Sequence, residues 1–118
     1  MQYMALIYSD LDQGPKYGTP EFGPMMAEYQ VATQTYIADK VFLAGDALQP
    51  PSMATTIRHR NGKVETMDGP FAESKEQLGG YYIFECANLD EAIKYAAMIP
   101  AAKFGAVEVR PIMTRAGQ

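Results

Sequence analysis

The chain has 118 residues, of which 47% are hydrophobic and 20% charged. That length and balance fit one globular domain over 1–118 with its own core, and exclude a disordered tail, a collagen-like rod and a membrane protein. Ten basic residues against 14 acidic ones give a net charge of −4, so the broad basic footprint of a nucleic-acid binder is missing.

The first apolar run, Gln2 to Tyr8, predicts a largely buried strand. No basic region followed by a long apolar stretch precedes it, so neither a signal peptide nor a membrane span is expected, and the expected location is cytoplasmic. Ser9 to Gly23 collects Asp, Gly and Pro and predicts a loop, in which Thr19-Pro20 could open a helix as N-cap and first helical residue. From Pro24 to Lys40 the spacing predicts a helix with Met26, Tyr29, Thr33, Tyr36 and Ile37 on one face. Val41 to Ala44 predicts a short strand stopped by Gly45, and the two prolines between Leu48 and Ser52 keep that segment out of a central ladder.

Asn61-Gly62 stands between two strand-like runs, Ala54 to Arg60 and Lys63 to Met67. A two-residue turn with positive φ at both positions suits Asn-Gly and predicts a hairpin. Its register sets Arg58 opposite Glu65, His59 opposite Val64 and Ile57 opposite Thr66, with an ion pair expected at Arg58–Glu65. Asp68-Gly69-Pro70 ends the hairpin, and Phe71 to Leu78 predicts a loop or single turn. Gly79 to Ala87 predicts a strand through Tyr81 to Cys86. Asn88 with Glu91 three residues on has capping-box spacing. The helix that follows carries Leu89, Ala92, Ile93, Ala96 and Ala97 on one face and ends near Ile99, before Pro100. Val107 to Met113 predicts the last strand.

With the hairpin treated as an insertion, the order is βαββαβ, the ferredoxin-like α+β pattern of an antiparallel sheet with two helices on one face. The strands are apolar on both faces, as in Tyr81 to Cys86. The second face therefore needs a cover, and a homodimer joined sheet to sheet is expected.

Four segments carry a family resemblance: Leu48-Gln49-Pro50-Pro51, Asp68-Gly69-Pro70-Phe71-Ala72-Glu73, Lys75 to Tyr82, and Val107-Glu108-Val109-Arg110-Pro111. From Tyr3 to Pro111 the chain resembles the YCII-related proteins of the Asp-Gly-Pro-Phe (DGPF) type. The resemblance implies a dimeric α+β barrel. Some relatives resemble small enzymes, including a dehydrochlorinase of chlorinated aromatic breakdown. Others are encoded beside, or fused to, extracytoplasmic-function sigma factors. One branch of the family is associated with a His–Asp pair whose histidine lies in the N-terminal half. Here the only histidine is His59, on the inserted hairpin, so that pair does not carry over.

Asp68 heads the candidate residues. A carboxylate at a strand end could be a general base or polar anchor, or it could cap the turn that follows. Lys75, with Glu73 and Glu76, could hold an anion or pair with Asp68, or belong to a solvated loop of mixed charge. His59 could shuttle a proton or be a half-exposed strand residue. Arg58 and Arg110 could grip a carboxylate or pair with Glu65 and Glu108. Tyr8, Tyr36, Tyr81 and Tyr82, with Phe71 of the Asp-Gly-Pro-Phe block, could wall an aromatic pocket or pack the core and dimer. A lone Cys86 in an apolar run predicts a buried thiol. No metal-ligand spacing, phosphate loop or nucleophile elbow is present, so no cofactor is expected.

Two functions from different classes follow. One is a small-molecule binder or a lyase- or isomerase-like enzyme, with a pocket between the sheet, the Pro24–Lys40 helix and the Asp68–Leu78 loop. The other is an interaction module for a protein such as a sigma factor, using the charged hairpin Arg58 to Lys63.

Overall fold

Eight main elements are seen in the computed structural model, which describes residues 1–10 and 12–113. In chain order they are β1 (Gln2–Ser9), α1 (Phe22–Ala38), β2 (Phe42–Ala47), β3 (Thr55–Arg60), β4 (Lys63–Asp68), β5 (Gln77–Glu85), α2 (Leu89–Ala96) and β6 (Ala106–Pro111). One sheet has the order β2-β5-β1-β6, with every pairing antiparallel. The hairpin β3–β4 is a separate two-stranded sheet. Two helices with antiparallel sheets make an α+β domain, consistent with a ferredoxin-like fold. Among the described residues no helix is long and apolar enough to cross a membrane.

Strand alternation decides which side chains meet the helices. Tyr3, Ala5 and Ile7 of β1 and Tyr82 and Phe84 of β5 are buried, and register pairs Tyr3 with Phe84 and Ala5 with Tyr82. They pack with Ala32 and Tyr36 of α1, Ala92, Tyr95 and Ala96 of α2, and Ile99 beyond it. Met4, Leu6, Tyr81 and Ile83 point to the opposite face and remain half-buried. The molecule measures 49 × 48 × 17 Å. A least dimension of 17 Å holds one sheet and one helix layer, so among the described residues nothing lies over that second face.

The hairpin forms in the expected register, with Arg58↔Glu65, His59↔Val64 and Ile57↔Thr66. Asn61 has φ 52° and Gly62 φ 75°, the positive pair the turn requires. The expected Arg58–Glu65 ion pair is not made. Arg60 instead stands 3.9 Å from Glu65, and the Arg58 guanidinium lies over the Phe71 ring, 4.7 Å from its centroid. A weakly hydrated guanidinium gains from an aromatic face what an exposed carboxylate barely offers.

Several boundaries move. The Thr19-Pro20 helix start does not form. Thr19 turns back on Lys16 through its hydroxyl, 2.5 Å, and the helix begins at Phe22 with Glu21 as an uncapped N-terminal residue. α1 ends at Ala38 rather than Lys40, and Ile37 lies outside its buried face while Ala32 lies within it. β2 does not stop at Gly45 but runs to Ala47. A Cβ on Gly45 would sit 2.5 Å from the ring of its cross-strand neighbour Tyr82, so this glycine gives room to a ring instead of breaking a strand. β5 begins at Gln77, inside the segment expected to be a loop, and ends at Glu85. The last strand ends at Pro111 instead of Met113.

α2 carries the expected cap: the Glu91 N–H donates to Asn88 Oδ1 at 2.9 Å. The helix ends at Ala96, and its buried face is Ala92, Tyr95 and Ala96. Leu89 and Ile93 are about half exposed, and Ala97 is exposed. Small alanines let α2 approach closely while Tyr95 reaches inward to the ring cluster, which rotates the helix away from its two largest aliphatic residues.

Candidate functional site

A cavity of about 570 Å³ opens at one end of the sheet. Its wall comes from β2 (Phe42 at its start, and Gly45, Asp46 and Ala47 at its end), the first half of β5 (Gly79 to Tyr82), the inner face of α1 (Met25, Met26, Tyr29, Thr33) and residues of the 9–17 loop. Ala101 and Phe104 close it from the short turn after α2. That turn is tied to α1 by Lys103 Nζ to Glu28 Oε2 at 2.8 Å. The loop is seated by Gly14, with φ +74°, on Phe104. A Cβ at Gly14 would fall 2.4 Å from that ring.

Inside, the polar groups are uncharged. Thr33 Oγ1 and Tyr82 Oη are 3.0 Å apart and share a hydrogen bond. Tyr29, half-buried between α1 and Ala101, has its phenol pushed above the ordinary value, first by burial and then by Tyr82. Charge sits at the rim. Asp46 lies opposite Tyr81 in register, and Tyr81 Oη donates to Asp46 Oδ2 at 3.0 Å. That bond, with the carboxylate's charge, raises the Tyr81 phenol. Asp10 and Lys16 complete the rim, and Asp10 Oδ1 accepts the Asp12 N–H at 2.8 Å. The arrangement can enclose a mostly apolar molecule, hydrogen bond one inner polar group, and present a carboxylate–phenol pair at the mouth. Among the described residues no three His, Cys, Asp or Glu side chains gather as a metal site.

Of the residues expected to form a site, Tyr81 and Tyr82 line this cavity. Tyr36 lies behind its wall, fully buried, with its ring edge-on to Tyr82 at 5.2 Å. Tyr8 is half-buried on the other sheet face, opposite Leu78 and Ala106. Asp68 is exposed at the end of β4, opposite Thr55, and Lys75 is exposed on the following loop; neither lines the cavity. His59 and Arg58 are exposed on the hairpin, and Phe71 is exposed beneath Arg58. The Asp68–Leu78 loop therefore yields the pocket wall to the 9–17 loop. Arg110 pairs with Glu108 on the open sheet face. The sequence reading did not single out Asp46, Thr33 or Tyr29 as site residues. The signal available was the pair of glycine positions Gly45 and Gly79-Gly80, since glycine inside a strand marks a close approach.

Cys86 is buried, and its thiol is pushed up to about 11, chiefly by desolvation. Tyr95 donates to Asp39 Oδ2 at 2.8 Å and is pushed up to about 12, chiefly by that bond. Tyr36 moves further in the same direction through burial. Each group keeps its proton in the folded chain at a pH where the unfolded chain loses it. Their contribution to stability is complete below about pH 9 and is lost as pH climbs to about 12. Urea midpoints should therefore fall steeply over that window. Tyr95→Phe should lower the midpoint at neutral pH and flatten the alkaline slope; an unchanged slope would remove Tyr95 as a cause.

Comparison with known proteins agrees with this architecture. The family model of the YCII-related domain matches residues 1–115. An uncharacterised protein of Rhizobium meliloti (strain 1021) is 36% identical over 114 residues, covering 95% of this chain and 92% of the relative. With a match of this extent, the chain belongs to the YCII-related domain family.

Proposed function

We propose that this protein is a homodimer of βαββαβ chains, joined sheet to sheet as a dimeric α+β barrel, in which each chain binds one small, largely apolar molecule in the cavity at the end of β2 and β5. The observation that carries the reading is the division of the wall. Apolar side chains and the neutral Thr33–Tyr82 pair lie within, and the Asp46–Tyr81 pair lies at the mouth. A ligand with an apolar body and one or two polar groups satisfies both ends, as small-molecule sites generally require. Asp46 then holds the position of an acid–base group for a lyase- or isomerase-type proton transfer, with Tyr81 orienting it. This moves the role considered for Asp68 to a carboxylate at the cavity mouth.

Native mass spectrometry of protein purified gently from its own host tests the binding. The expected result is a dimer with one small added mass per chain. A companion titration uses anilinonaphthalene sulfonate, an apolar fluorescent anion, with saturation expected at one probe per chain. Asp46→Asn should keep the probe and abolish turnover of whatever substrate the retained mass identifies. A protein that retains no mass and takes up no probe would overturn the reading.

A further inference from the structure

The inner end of the cavity has a chemical preference of its own. Tyr29 and Thr33 stand at i and i+4 on α1, so they share one face of that helix. Tyr82 meets them from β5, on the side of the strand that alternation turns toward the helices. All three line the cavity, and three hydroxyl groups are thus gathered where α1 faces β5.

No charge accompanies them. The charged side chains of the lining are Asp10, Lys16 and Asp46, and they lie at the rim, the last two exposed and Asp10 half-buried. Lys103, on the turn that closes the cavity, is exposed and committed to Glu28 Oε2 at 2.8 Å. A carboxylate or ammonium group at the inner end would be buried without a counter-charge, which is costly.

The hydroxyl hydrogens can be counted. Thr33 and Tyr82 hold two and share one bond of 3.0 Å, so one hydrogen is left over whichever of them donates. Burial and Tyr82 push the Tyr29 phenol up, while a backbone hydrogen bond at Ala101 works against them. A bond that eases loss of the proton is one the phenol oxygen accepts, so Tyr29 also keeps its hydrogen to give. Two spare O–H donors suit one oxygen with two lone pairs, and a carbonyl oxygen can take both. An alcohol brings a hydrogen that must itself be accepted, and the Tyr29 oxygen already serves Ala101.

The geometry points to an uncharged carbonyl compound as the ligand: an apolar body with a ketone or aldehyde oxygen lodged between Tyr29 and the Thr33–Tyr82 pair. This rests on the binding proposed above and names the class of molecule the cavity takes.

Three matched probes test it by competition with anilinonaphthalene sulfonate: acetylnaphthalene, naphthylethanol and ethylnaphthalene. They share one body and differ in one group. A plain apolar hollow ranks the hydrocarbon first, because water holds back the ketone and the alcohol. Here acetylnaphthalene should bind tightest, one per chain, with the alcohol weaker by about threefold or more. Tyr29→Phe removes one donor. It should weaken the ketone roughly three- to tenfold and leave ethylnaphthalene within about twofold of its wild-type affinity. The wild type gives a second reading that needs no variant. By isotope-edited infrared spectroscopy, the carbonyl stretch of bound acetylnaphthalene should lie below its value in hexane, as a hydrogen-bonded carbonyl does. A hydrocarbon or alcohol that binds tighter than the ketone, or a carbonyl stretch at its hexane value, overturns the carbonyl assignment and leaves the cavity standing. Protein that takes up neither the sulfonate nor any of the three probes overturns both.

Discussion

Tyr36→Ala is expected to cost about 3–5 kcal/mol of stability, read as a fall in the urea midpoint at fixed protein concentration. Tyr36 is fully buried on α1 and stands edge-on to three rings, Tyr82 at 5.2 Å, Phe84 at 4.7 Å and Tyr95 at 5.8 Å. Each edge-to-face pair adds about 0.5–1.5 kcal/mol beyond area burial. Its hydroxyl donates to the Tyr95 carbonyl at 2.7 Å and so fastens α1 to α2 across the top of the sheet. A domain has only about 5–15 kcal/mol in hand, so this one truncation removes a large share of it. Tyr36→Phe separates the two roles. It keeps the rings and loses one hydrogen bond, costing about 1 kcal/mol, since the Tyr95 carbonyl still accepts the Met98 N–H at 3.1 Å. If Tyr36→Ala cost under about 1 kcal/mol, the ring cluster would not be what joins the two helices to the sheet.

What the sequence revealed depended on how local the cause was. Asn61-Gly62 fixes a two-residue turn, and a two-residue turn leaves one register, so every cross-strand neighbour in the hairpin could be named in advance. Asn88 with Glu91 was legible for the same reason, because the capping oxygen and its N–H donor are three residues apart. The buried face of α2 was legible at Ala92 and Ala96 but not at Tyr95. Counting apolar residues pointed to Leu89 and Ile93, but the contact that decides the helix's rotation is between Tyr95 and rings contributed by α1 and β5. The cavity was hidden in a similar way. Asp68 and Lys75 stand in a conspicuous motif, yet they lie at the foot of the hairpin. The wall is built from plain residues such as Thr33, Asp46 and Ala47, brought together by the β2–β5 pairing. Gly45 held the clue, read as a strand breaker when it is the space under Tyr82.

Thr33→Phe is expected to empty the cavity of its ligand, with affinity for the retained molecule or the anilinonaphthalene probe lowered about a hundredfold or more. Thr33 faces the cavity from α1, half-buried, with its hydroxyl 3.0 Å from Tyr82 Oη. A phenyl ring at this position occupies space the ligand needs, and the apolar wall formed by Met25, Phe42 and Phe104 can receive it. The fold should persist, because the substitution fills a hollow instead of opening one. Thr33→Val isolates the polar part. It keeps the shape, removes the hydrogen bond to Tyr82, and should weaken binding far less than the ring does. Measured side by side, the two variants separate a steric site from a hydrogen-bonding one. Binding that survived Thr33→Phe with unchanged stoichiometry would show that the ligand sits elsewhere. The Asp68–Lys75 loop would then become the next place to look, since its charges are exposed and uncommitted to the core.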